Sequence, residues 1–381
     1  MTTTTGTAAT ADARSLLYSE TEDDLRAAVR ALLADRSAAA DVIARTEAAD
    51  GPYDAALWKS LARDIGAAGL LIPETLGGAG AGHPEAAVVL EELGRAVTPA
   101  PYLTGAVIAV EALLGCDTEP AHGLLREIAE GSRVAVLALP WSAHEPAVTV
   151  QAADGRLTGR VTSVADAVAA DVLLVPADDG LYAVETARIE PRTPLDLTRP
   201  LADVACDSTP GTRLADAATA RTAVERALLA GAGLLASEQL GIAEWCLTET
   251  VGYLKERRQF ARRVGGFQAL KHRMAKLWLE LVSARAAARD AAGALAEGAE
   301  DATISVAVAQ AYCADAAVHA AEEALQLHGG IGMTWEHPVH LYLKRAKSDQ
   351  LALGTTGRHR ARLAELVDLP ACALRPSVAR F

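Results

Sequence analysis

The sequence predicts an α+β protein in three parts: an N-terminal helical domain over residues 14–131, a central antiparallel β-domain over 132–210, and a C-terminal four-helix-bundle domain over 211–381. Three observations carry that expectation. Apolar residues recur at helical spacing through the first third of the chain. From Ser132 to Asp207 the pattern changes to short apolar or alternating runs separated by Asp-Gly pairs, the signature of hairpins. From about Asp216 helical periodicity returns, in stretches long enough for bundle helices.

Taken in order, residues 1–13 are Thr- and Ala-rich and lack the basic start and apolar core of a secretory signal, so a disordered leader is expected. Glu22, Asp23 and Asp24 then put acids in a first helical turn, as the macrodipole favours. Leu25, Val29, Leu32 and Leu33 give that helix its apolar stripe. A second helix is expected over 55–69 and a third over 85–94. The glycine loop between them, residues 77–82, is not set between a strand and a helix of a βαβ unit. It therefore reads as a flexible turn and not as a dinucleotide cradle. Strands are expected at 134–139, 148–150, 156–161, 172–175 and 181–184, with turns at Asp154-Gly155 and Asp179-Gly180. Bundle helices follow at 228–254, 267–296 and 302–327, with Met274, Leu277 and Leu281 facing the core.

A net charge of -13 excludes a nucleic-acid-binding surface, which needs a basic face. The five cysteines, Cys116, Cys206, Cys246, Cys313 and Cys372, are odd in number and have no paired spacing. They point to a reducing, cytoplasmic setting and to neither a disulfide framework nor a metal site. No apolar run reads as a membrane span. One local basic cluster opposes the global sign: Lys255, Arg257, Arg258, Arg262 and Arg263.

That cluster overlaps the first of two blocks that carry chemistry, Glu256-Arg257-Arg258-Gln259-Phe260 followed by Gly266-Phe267-Gln268. The second runs from Gln326-Leu327-His328-Gly329-Gly330 to Trp335-Glu336-His337-Pro338. An arginine fork matches phosphate oxygens, and tandem glycines let a ligand approach the backbone without a Cβ in the way. With Glu92-Leu93-Gly94-Arg95, these blocks resemble the acyl-CoA dehydrogenase family of flavoproteins over nearly the whole chain. The resemblance implies a three-part fold, FAD as cofactor, an acyl-CoA substrate and an electron-transferring flavoprotein as redox partner. It places Arg257 on the flavin diphosphate and Gln268 beside it. Gln326, Leu327, His328, Gly329 and Gly330 would lie along the ADP portion of an FAD held mainly by a neighbouring subunit. Gln259, Phe260 and Thr355 complete the expected cofactor contacts. His328 reads as a wall residue, and Trp335 to Pro338 as the start of a helix.

The family also needs a carboxylate to remove the substrate α proton. At its two usual positions this sequence has Leu353, before Gly354-Thr355, and Gly231. Glu238 is the substitute the sequence offers, against a plainer reading as a helix-surface carboxylate. Pro140-Trp141-Ser142-Ala143-His144-Glu145-Pro146 and Thr162-Ser163-Val164-Ala165-Asp166 replace the two elements that cover the flavin ring in the family. The expectation is a base-lacking subunit of a heterotetramer, like those acting on steroid side-chain thioesters, which completes a sister subunit's FAD site. The alternatives are a self-sufficient homotetrameric enzyme with an atypically placed base, and a non-enzymatic scaffold.

Overall fold

The computed structural model describes residues 14–48 and 51–369; the expected leader and Cys372 lie outside the described residues. The N-terminal domain opens with α1 (Glu20–Arg36), fixed by a capping box in which Ser19 and Glu22 satisfy each other's backbone N–H groups. It continues through α2 (Ala39–Thr46) and α3 (Ala55–Lys59), which runs on as a π-helical turn, Ser60–Asp64. Next come α4 (His83–Arg95), a π-helical segment Tyr102–Ala109 leading into α5 (Val110–Leu114), and α6 (Glu119–Ala129). The glycine loop differs from expectation. The N–H groups of Ala79, Gly80 and Ala81 donate to the carbonyls of Gly69, Ile72 and Leu70, so it is a hydrogen-bonded turn and not a flexible one.

The central domain contains β1 (Ala135–Leu137), β2 (Val150–Ala153), β3 (Arg156–Ala165), β4 (Val172–Ala177), β5 (Gly180–Val184), β6 (Arg188–Arg192), β7 (Leu201–Pro210) and β8 (Thr212–Asp216). The sheet order is β6-β7-β3-β2-β4-β5-β8, with β1 also on β4. Pairing is mostly antiparallel, but β1 runs parallel to β4, and β2 meets it in parallel at Val150 and Ala177. The domain ends at Asp216 and not at 210, because β8 pairs with β5. Asp154 and Gly155 form the expected turn with φ of 50° and 71°. The next turn sits one residue earlier than expected, on Asp178 and Asp179, since Ala177 pairs with Gly180.

Asp216 then caps α7 (Ala217–Glu256), accepting the Thr219 N–H. A two-stranded hairpin follows, β9 (Arg258–Gln259) and β10 (Arg262–Arg263), then α8 (Gln268–Glu297), α9 (Ala302–His328), α10 (Val339–Leu351) and α11 (Thr356–Leu366). Met274, Leu277 and Leu281 are buried, as their spacing requires. The stretch Ala302–Met333 is long and apolar enough to cross a membrane, contrary to the expectation that no apolar run reads as a span. Its most apolar window is 72% buried, and α9 packs against α7, α8, α10 and α11, which is the place of a bundle's central helix.

The N- and C-terminal domains meet where α4 crosses α7. A Cβ on Gly94 would overlap the carbonyl oxygen of Glu238, and one on Gly241 that of Glu91. Gly94→Ala or Gly241→Ala should therefore lower stability by about 1–3 kcal/mol, because two backbones must move apart. Gly123→Ala, in α6 with open space around it, should instead raise stability by roughly 0.5–1 kcal/mol. Urea denaturation of the three variants reads both signs.

Candidate functional site

Gly231 on α7 and Leu353, in the turn between α10 and α11, converge on one spot. A Cβ on Gly231 would stand 3.3 Å from Leu353 Cδ1 and 2.7 Å from Ile108 Cγ1. Leu353 has φ of 49°, an uncommon value for a residue with a side chain. Around it lie Thr104, Leu137, Leu139, Trp141, Ala165 and Leu228, enclosing a cavity of about 20 Å³. That holds roughly one water; ligand pockets run to about 300 Å³ and more. The wall's one hydroxyl, on Thr104, is already donated to Asp166 at 2.7 Å.

The two replaced β-domain segments close on each other across this pocket. Pro140 bridges Val164, and the Trp141 N–H donates to the Ser163 carbonyl at 2.9 Å. The Trp141 carbonyl accepts the Leu353 N–H at 2.9 Å, its indole N–H reaches Ser348 Oγ at 3.2 Å, and the Arg199 guanidinium lies 4.7 Å from its ring centre. Trp141 thus ties the sheet to α10. A flavin ring does not fit in the space that remains.

Glu238 belongs to a buried ion network behind Trp141. Arg199 Nη2 donates to both its oxygens at 2.7 and 2.8 Å, and Arg345 Nη1 donates to Oε1 at 2.6 Å. Arg199 also reaches Asp349 at 3.1 Å, while Arg345 pairs with Asp196 and with Thr198 Oγ1 at 2.6 Å. Glu238 is 1% exposed, so the helix-surface reading is wrong. With its oxygens committed to guanidiniums it is also unsuited to accept a substrate proton. Burial opposes its ionisation, but Arg199 and Arg345 outweigh burial and hold its carboxyl below the usual glutamate range. Burial, helped by the Glu238 charge, pushes Asp349 the other way, well above the usual aspartate range.

Most of the other predicted residues sit on open surface. Arg257 caps α7, and Arg257 to Phe260 are all exposed. The hairpin register, Gln259 opposite Arg262 and Arg258 opposite Arg263, sorts the side chains by face. Arg257, Gln259 and Arg262 share one face; Arg258 and Arg263 share the other. Arg262, expected in the basic cluster but not among the cofactor contacts, lies 3.7 Å from the centre of the Phe267 ring, and the strand pairing sets it opposite Gln259. Gln268 opens α8 in an exposed position.

Gln326, Gly329 and Gly330 are exposed at the end of α9, and Leu327 is half-buried. Gly329 has φ of 64° and ψ of -138°, a conformation that glycine adopts most easily, and no atom would meet a Cβ there or at Gly330. His328 is buried, donating from Nδ1 to the Ala324 carbonyl at 2.7 Å and leaving Nε2 without a partner. Its ring packs 4.6 Å from that of Tyr253, in the last turns of α7, which brings the two sequence blocks together. The donors Arg257, Gln259 and Arg262, with an uncovered glycine turn, fit the diphosphate end of a dinucleotide such as FAD. Thr355 does not join this surface. It follows Leu353 at the closed pocket, and its hydroxyl caps α11 through the Arg358 N–H. Pro338 immediately precedes α10, as the sequence reading expected.

The chain matches the profile of the acyl-CoA dehydrogenase N-terminal domain over residues 19–122 and that of the C-terminal domain over 220–367. It is 38% identical over 338 residues to the acyl-CoA dehydrogenase IpdE2 of Mycolicibacterium smegmatis, covering 88% of this chain and 95% of the relative. Among solved structures it is similar to the ChsE4-ChsE5 complex from Mycobacterium tuberculosis, with a TM-score of 0.82 and 28% identity over 94% of this chain and all of that one. It is equally similar to the Tcur3481-Tcur3483 steroid ACAD, with a TM-score of 0.82 and 29% identity over 92% of this chain and 98% of that one.

Glu238→Gln should destabilise the fold by about 3–5 kcal/mol at pH 7, because two buried guanidiniums lose their shared carboxylate. The sign with pH follows from the depressed folded-state value: the stabilisation is full above the unfolded glutamate pKa, near 4.3, and is lost as pH falls through the folded one. Urea midpoints of the wild type and the variant should therefore draw together below about pH 4.

Proposed function

The chain belongs to the acyl-CoA dehydrogenase family of FAD-dependent oxidoreductases, and from that premise we propose that it is the base-lacking subunit of a heteromeric acyl-CoA dehydrogenase. It completes the FAD site of a sister subunit that carries the glutamate and the flavin-ring pocket. The observation that supports this most directly is the division of the molecule: a ring-and-base pocket closed by Leu353, Ile108 and Trp141, and an uncovered donor surface built from Arg257, Gln259, Arg262 and Gly329-Gly330.

When FAD is bound, it supplies the hydride acceptor for α,β-dehydrogenation of the acyl-CoA thioester. The residues of this chain bind and orient it. Arg257 and Arg262 neutralise the diphosphate, with Gln259 and Gln268 as further donors. Gly329 and Gly330 let the ADP portion lie close to the backbone. Solved structures of paired chains among the similar proteins, one of them called a steroid ACAD, favour a heteromer and a steroid-derived thioester. The closed pocket and the committed oxygens of Glu238 count against a self-sufficient homotetramer. An electron-transferring flavoprotein is the redox partner this reading requires.

Expressed alone, the chain should be colourless and inactive. Co-expressed with each family member of its source organism that carries a glutamate at the position of Leu353 or Gly231, it should co-purify with one of them as a yellow, acyl-CoA-oxidising complex. A yellow homotetramer that reduces an electron acceptor with acyl-CoA would sink the proposal. In the complex, Arg257→Ala should weaken FAD retention by roughly tenfold to a hundredfold, the worth of one charge-assisted hydrogen bond. Flavin absorbance during dilution measures it.

A further inference from the structure

The hairpin carries more positive charge than a flavin diphosphate uses. Arg258 and Arg263 stand directly opposite each other on the face turned away from Arg257, Gln259 and Arg262. Like charges directly opposed across two strands destabilise the pairing. Both are exposed, and among the described residues neither is paired with a carboxylate. The turn joining the strands is strained as well, since Phe260 and Ala261 have φ of 50° and 58°, where glycine or asparagine would be relaxed. That turn leaves the Phe260 ring 84% exposed at the tip. A repulsive pair on a strained turn is a structure kept for contact with something else.

We propose that the Arg258/Arg263 face docks against an acidic surface of the sister subunit, so that the hairpin is gripped on both sides, by cofactor in front and by carboxylates behind. This rests on the reading that the front face serves a flavin held by the sister. To reach that flavin the hairpin must enter the sister, and its back face then leaves water. Guanidiniums enclosed by protein require carboxylates. A second copy of this chain is a poorer occupant despite its own net charge of -13. Its flavin-ring pocket is closed, so the front face would meet no cofactor there.

The test compares wild type, R258E/R263E and R258K/R263K for association with the sister that co-purifies, by surface plasmon resonance between about 0.05 and about 0.5 M salt, over which the Debye length falls from about 14 to about 4 Å. The charge-reversed protein should bind at least about tenfold more weakly near about 0.15 M salt, and its on-rate should no longer fall as salt rises. The lysine variant should stay within a few-fold of wild type. Both variants should keep the wild-type melting temperature, since the residues lie on an exposed hairpin. Unchanged binding by R258E/R263E overturns the docking face, and so does the absence of any wild-type complex. Self-association that the double reversal abolishes would give the face to a second copy and overturn the sister assignment. A colourless complex that still depends on Arg258 and Arg263 keeps the docking face and removes the flavin reading. A yellow complex indifferent to them does the reverse.

Discussion

The arrangement depends on one carboxylate clasped by two guanidiniums. Glu238 comes from α7, Arg345 from α10 and Arg199 from the connection between β6 and β7. Asp196 and Thr198 of the same connection complete the hold on Arg345. Nearby, Asp166 accepts hydroxyl hydrogen bonds from Tyr53 and Thr104 of the N-terminal domain. All three domains therefore send polar groups to one dry centre. A buried pair is not in itself strongly stabilising, because desolvation offsets attraction; removing one partner, however, leaves an uncompensated charge. That penalty is a sizeable share of a domain's total stability of about 5–15 kcal/mol. The network thus selects one mutual placement of the domains more than it strengthens any of them.

This placement accounts for a closed pocket at one place and an open surface at another. Arg199, anchored by Glu238, presents its face to Trp141, and Trp141 in turn joins Ser163, Ser348 and Leu353. The space a ring system would need is taken by an indole and aliphatic groups. The hairpin and the glycine turn lie at the other end of α7 and α9, outside that network. They are fixed to each other by the contact of Tyr253 with His328. One long helix therefore separates a closed pocket from an open donor surface.

Much of this was legible in the sequence. The bundle helices are legible over 228–254, 267–296 and 302–327 as long, Ala- and Leu-rich stretches without proline, although α7 begins earlier, at Ala217. The strands β6 to β8 did not, because Glu190-Pro191-Arg192 and Asp207-Ser208-Thr209-Pro210 carry no alternation to read. The missing base was visible as Leu353 and Gly231, but their adjacency was not. It arises from contacts between residues more than a hundred positions apart. Glu238 misled for the same reason. A glutamate on a helix reads as solvated until its partners are found at positions 199 and 345, and neither arginine stands in a local motif. Arg262 was hidden because a two-residue turn, not a helix end, sets it beside Gln259.

The loss of a carboxylate alone would leave a pocket able to bind flavin and thioester unproductively, competing with a working partner. Filling the pocket removes that competition. Leu353 retains a left-handed backbone, which costs about 1–2 kcal/mol for a residue with a side chain. The physical reason for this turn is packing: Leu353 seals against Ile108 and Gly231 and donates its backbone N–H to the Trp141 carbonyl. A glutamate restored at 353 would enter an apolar cavity with no cationic partner in its wall, and burial would favour its neutral form over the carboxylate. A glutamate at that one position would therefore not present a carboxylate ready to take a proton. A closed pocket and an open donor surface thus stand together in one chain, which is the combination that the proposed role requires.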